Sequence, residues 1–117
     1  MLVYAVALFA IAALFGAFML LRILKGVMPP WPAAILHGLF AAVGLLFLLY
    51  VTFLYATSLS SAVIVAAVLL VIAAFGGLVS VSYHARKRIP PKALAGVHAL
   101  LAVAGFLTLA GVTFGIL

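Results

Sequence analysis

Histidine is the side chain whose charge changes most readily near neutral pH, and it is the commonest metal ligand. This chain has three, His37, His84 and His98, and they have little chemical company. Its 117 residues include no Asp, no Glu and no Cys. Carboxylate acid–base hydrolysis, a Ser-His-acid set, a thiol nucleophile, a thiolate metal site and a disulfide are all excluded by that absence. His37 lies six residues beyond Trp31 and His98 six beyond Lys92, each inside an apolar run. An ionisable group in such surroundings is costly to keep and is a candidate functional site for that reason.

The apolar runs must position these imidazoles. Hydrophobic residues make up 72% of the chain and charged residues 5%, against roughly 25% charged residues in soluble domains. Six Lys and Arg cannot cover a water-facing surface, so a lipid bilayer takes the place of water. Four apolar stretches run from about Leu2 to Leu21, Trp31 to Tyr55, Ser61 to Ser82 and Ala93 to Leu117. Each has about 20 residues or more, enough for a helix to cross a hydrocarbon core of ~30 Å. They are too long for transmembrane strands and do not alternate. No basic stretch precedes the first apolar run, so it reads as a retained span and not a cleaved signal. The expected fold is all-α: one domain, residues 1–117, forming an up-down-up-down transmembrane four-helix bundle.

The bases gather in two connections. Arg22 and Lys25 lie between the first two runs, and Arg86, Lys87, Arg88 and Lys92 between the last two. The middle connection, Ala56-Thr57-Ser58-Leu59-Ser60, carries no charge. That clustering is the positive-inside pattern, not the basic face of a nucleic-acid binder. It predicts an integral protein of the bacterial inner membrane, with both basic loops cytoplasmic and both termini opposite.

Comparison of the chain with itself sharpens the reading. A shift of 61 residues aligns residues 1–56 with 62–117 without a gap. Pro29-Pro30 falls on Pro90-Pro91, His37 on His98, Gly44 on Gly105, and Val51-Thr52-Phe53 on Val112-Thr113-Phe114. Upstream, Ile11-Ala12-Ala13 falls on Ile72-Ala73-Ala74 and Gly16 on Gly77. The bundle is therefore read as a duplicated helical hairpin, its copies in one orientation.

Each paired histidine is expected roughly 9 Å inside the basic end of its helix, at one depth. Neighbouring axes about 8–10 Å apart place the second and fourth helices roughly 12–14 Å apart on a diagonal. A metalloporphyrin held by one imidazole on each face suits that gap, with His37 and His98 as metal ligands. Gly16 and Gly77, near the histidines in depth, and Gly44 and Gly105, seven residues beyond each histidine, offer flat room. Arg86 and Arg88 lead the candidates to pair with propionates. His84 aligns with Ile23, not with a histidine. It reads as an interfacial or loop residue, with a propionate or quinone contact as its functional alternative. Trp31, Tyr4, Tyr50, Tyr55 and Tyr83 fall near span ends, as an aromatic belt does.

On these features the chain resembles, in general architecture, the small four-helix b-type cytochromes of membranes. Their specific mark here is the pair His37 and His98. The resemblance implies one haem b with bis-histidine ligation, electron transfer, and a place within or beside a quinone-linked respiratory complex. A bacteriochlorophyll-binding subunit of a photosynthetic complex is a second reading: a small residue, Ala33, precedes His37 by four, although Leu94 holds that place before His98. A third is a cofactor-free structural subunit. Small multidrug transporters share the length and span number, but they couple protons through a membrane glutamate that this chain lacks.

Four spans require consecutive connections to lie on opposite sides of the membrane. Single cysteines at Gly26 and Ser58 are expected to react with an impermeant thiol reagent from opposite faces. Reaction from the same face would break the four-span reading.

Overall fold

A polypeptide in lipid has no water for its N–H and C=O groups, so a spanning segment bonds to itself as a helix. The computed structural model describes residues 1–55 and 57–117; Ala56, the last residue of the first repeat, lies outside them. Four helices fill almost all of it: α1, Leu2–Leu24; α2, Trp31–Leu54; α3, Ser61–Ala85; and α4, Lys92–Thr113. All four are long and apolar enough to cross a membrane.

Two helices run further than the hydropathy pattern suggests. α1 and α3 each extend three residues into the basic connections, so that Arg22 and His84 sit in their last turns. Basic groups there complement the negative end of the helix dipole. Both helices then stop in the same way. Gly26 has φ 73° and Lys87 φ 59°, and these two residues are equivalent in the repeat. In α1, Val27 N–H donates to Arg22 O (2.9 Å) and Gly26 N–H to Ile23 O (2.9 Å). In α3, Arg88 N–H donates to Tyr83 O (2.9 Å) and Lys87 N–H to His84 O (3.0 Å). This is a Schellman stop, whose left-handed residue is usually glycine. α2 and α4 start after Pro30 and Pro91, with Pro29 and Pro90 buried. Proline suits a helix entrance because its missing N–H had no partner there.

The helices form a ring in which α1 packs on α2 and α4, and α3 on α2 and α4; α1 and α3, like α2 and α4, face each other diagonally. The bundle measures 44 × 21 × 19 Å. Its packed core lies at the end away from the basic loops. Ala5, Val6, Phe9, Leu48, Val63, Ala66, Ala67, Leu70 and Leu109 fill it. Burial repeats with the 61-residue shift: Ala5 with Ala66, Val6 with Ala67, Phe9 with Leu70, Ala12 with Ala73, Leu48 with Leu109. Gly44 and Gly105 belong to this packing. A Cβ on Gly44 would meet Leu8 at 3.3 Å and Phe9 at 3.4 Å, and one on Gly105 would meet Leu70 Cγ at 2.7 Å. Thr52 and Thr113 turn their hydroxyls onto the Leu48 and Leu109 carbonyls of their own helices (2.8 and 2.7 Å). Large apolar side chains such as Leu14, Leu46, Phe75 and Leu100 point outward. Lipid is the environment in which so apolar a surface is stable.

The glycine contacts make a paired prediction. Gly105→Ala must displace Leu70, an overpacking that costs about 1–3 kcal/mol. Gly96→Ala enters open space and is expected to be neutral or to stabilise the helix by up to ~1 kcal/mol. Reversible unfolding in mixed micelles should rank Gly96→Ala at or above the parent and Gly105→Ala below both.

Candidate functional site

His37 on α2 and His98 on α4 sit half-buried in the half of the bundle toward the basic loops. Each reaches across to the other helix of its own hairpin. His37 Nδ1 lies 2.8 Å from Ala12 O on α1, and His98 Nδ1 lies 2.6 Å from Ala73 O on α3. A carbonyl only accepts, so Nδ1–H donates in both. In a neutral imidazole that leaves Nε2 with a free lone pair. Backbone carbonyls are the usual second-shell partners that orient metal-ligating histidines in this way.

A carbonyl inside a helix is normally screened by the side chain one turn further on, because Cβ atoms lean toward the helix N-terminus. The residues one turn beyond Ala12 and Ala73 are Gly16 and Gly77. A Cβ on Gly16 would come within 3.0 Å of His37 Cε1, and one on Gly77 within 3.2 Å of His98 Cε1. These two glycines therefore open the accepting carbonyl to the imidazole. The flat room expected beside them is occupied by the histidine rings themselves. Gly44 and Gly105 are enclosed by side chains of the packed end. The functional groups missed in the sequence are the Ala12 and Ala73 carbonyls. Their signal was present: alanine, glycine four residues later, and histidine 25 residues after the alanine, in both copies.

The two rings meet across the diagonal. Their centres are 6.1 Å apart and their planes stand at 81°. The side chains thus close most of the distance expected between the axes. Two imidazoles on opposite sides of one metal ion, with bonds of about 2 Å each, have ring centres roughly 6 Å apart. Among the described residues no three metal-ligating side chains cluster. Two nitrogens do not complete the coordination shell of a bare ion. They suffice for a metal that brings its own equatorial ligands, as a porphyrin does.

His84 departs from its expected place in the loop or at the interface. It is buried in the last turn of α3, and its ring stacks on Trp31 with centres 3.9 Å apart. Its repeat equivalent Ile23 is buried to the same degree, 7% exposed in each case. The position is thus a packing site that one copy fills with Ile and the other with His. Arg86 and Arg88 are exposed at the basic end. Arg86 bonds Ser82 O through Nε (3.1 Å) and lies over the Tyr83 ring (4.8 Å). It is nine positions from Gly77, about 13 Å along the helix, so the structure does not bring the arginines to the imidazoles. Compared with known proteins, the chain matches no family model, no curated protein and no solved structure.

The hydrogen bonds fix the tautomer, and imidazole nitrogen-15 resonances report it. In metal-free protein both His37 and His98 are expected to carry a proton on Nδ1. Gly16→Ala should disturb the His37 signals and spare those of His98, and Gly77→Ala the reverse. A shared Nε2–H form in the parent would contradict the geometry.

Proposed function

We propose that this protein is a membrane b-type cytochrome that holds one haem b between His37 and His98 and transfers electrons. The observation that carries this reading is the matched pair of Nδ1–H···O=C bonds, which leaves two Nε2 lone pairs on rings 6.1 Å apart. The donor set fits: two imidazoles, each oriented through Nδ1 by a backbone carbonyl, while the third histidine of the chain, His84, is stacked on Trp31. The bound group would supply an iron that moves between ferrous and ferric states. His37 and His98 would hold the group between them, and a group held by two histidines would serve electron transfer in preference to oxygen binding. Arg86 and Arg88, at the end toward which the histidines are displaced, are the propionate partners in this reading.

The wider setting belongs to the same proposal. The basic loops face the cytoplasm of a bacterial inner membrane. Donor and acceptor are quinone-linked components of a respiratory complex, and the apolar exterior allows the bundle to pack within or beside one.

Visible spectroscopy of protein purified from a haem-replete host tests the reading. The parent is expected to show a sharp low-spin b-type spectrum on reduction. His37→Ala and His98→Ala should weaken haem retention or abolish it, and His84→Ala should keep the spectrum. A colourless parent would overturn the proposal in favour of a structural subunit. A chlorin-type spectrum would replace haem with bacteriochlorophyll. A b-type spectrum that survives both substitutions would move the ligands elsewhere.

A further inference from the structure

Every charged side chain of this protein is positive, and all six lie at one end of the bundle. No carboxylate side chain exists to neutralise them. Some are satisfied by the fold. Arg22 donates through Nε and Nη2 to Met28 O (3.3 and 3.2 Å), which ties down the α1–α2 connection. Arg86 folds back onto Ser82 and Tyr83. Among the described residues, Arg22 and Arg86 are the bases with side-chain hydrogen bonds, and Lys25, Lys87, Arg88 and Lys92 have none.

Lys87 is the informative one. It takes a left-handed conformation, φ 59°, at the stop of α3, while the equivalent position in the other hairpin is Gly26 with φ 73°. The backbone there is the same, bond for bond. Glycine takes this conformation freely, and a residue with a Cβ is strained in it. The helix dipole accounts for basic residues in the last turn. It does not account for lysine in place of glycine at the one strained position beyond it. Strain of this kind is tolerated where the side chain is needed for something else.

We infer that Lys87 in the α3–α4 connection, together with Lys92 at the start of α4, binds the phosphate of an anionic phospholipid headgroup in the leaflet that this end of the bundle faces. The charge is complementary, and the depth is right because the connection follows directly on a membrane-spanning helix. The buried His84–Trp31 stack at the same end anchors α3 against α2 at that level (centres 3.9 Å apart). Juxtamembrane basic groups gain from an anionic surface, and the gain is screened by salt. The α1–α2 connection offers only Lys25 free, so the lipid is bound on one side of the bundle. This inference does not depend on haem.

The experiment is thermal melting of the full-length protein, followed by helical circular dichroism, in nanodiscs. One set is phosphatidylcholine alone, and the other an equal mixture of phosphatidylcholine and phosphatidylglycerol. The parent is expected to melt several degrees higher in the mixture, with the gain lost at high salt. Lys87→Gly should have two opposite effects: a higher midpoint in phosphatidylcholine, where strain is relieved, and a smaller gain from phosphatidylglycerol. Lys87→Arg keeps charge and strain and should retain the parent's gain. No gain in the parent, or an undiminished gain in Lys87→Gly, would overturn the proposal. So would the same gain from inorganic phosphate added to phosphatidylcholine discs, because the site would then serve the free anion.

Discussion

The hydrogen bond from an imidazole to a backbone carbonyl of the neighbouring helix organises this protein. It is made twice, His37 to Ala12 and His98 to Ala73, each time within one hairpin. It needs three things at once: a histidine facing inward, a helix close enough to touch, and an accepting carbonyl with no Cβ over it. The close approach of α1 to α2 and of α3 to α4, and the glycines at 16 and 77, follow from those needs. A polar ring in a lipid-embedded bundle requires a partner. Here the partner also decides which ring nitrogen remains free.

The rest of the bundle divides the work by height. At the end away from the basic loops, small and branched apolar residues close the four helices on one another, and Gly44 and Gly105 let Phe9 and Leu70 settle into the facing helix. Toward the basic loops the interior contacts include two imidazoles bonded to two recessed carbonyls and the His84–Trp31 stack. The packed end thus supports the end that carries the imidazoles. Sites built on the regular elements of a firm scaffold keep their geometry better than sites on loops.

Much of this is legible in the sequence. Composition required lipid, the four runs required helices, and the 61-residue shift located both histidines at one depth. Equivalence also led to the glycines, but not to their task. Depth along an axis can be counted from sequence, whereas the rotation of each helix about its axis cannot. That rotation puts Gly16 under the His37 ring and not beside it. For the same reason His84 looked like a loop residue. Hydropathy falls where Tyr83 begins, yet a helix continues until its carbonyls find a stop, here the Lys87 turn. Burial of His84 depends on Trp31, 53 positions away, and on the α2–α3 seam, which no local pattern encodes.

The duplication places both imidazoles in one chain, and that has a consequence for what the molecule can encode. Two separate copies of a single hairpin, related by a twofold axis, could build the same facing pair. In such an assembly every residue would occur twice, in identical surroundings. A fused chain is released from that rule. It can carry glycine at one helix stop and lysine at the other, isoleucine at one buried position and histidine at its equivalent, tryptophan at one helix entrance and lysine at the other. The centre of the bundle keeps its symmetry in the facing pair of imidazoles. The rim at the basic end loses it, giving the protein two distinguishable sides and therefore a preferred way to face whatever lies next to it in the membrane.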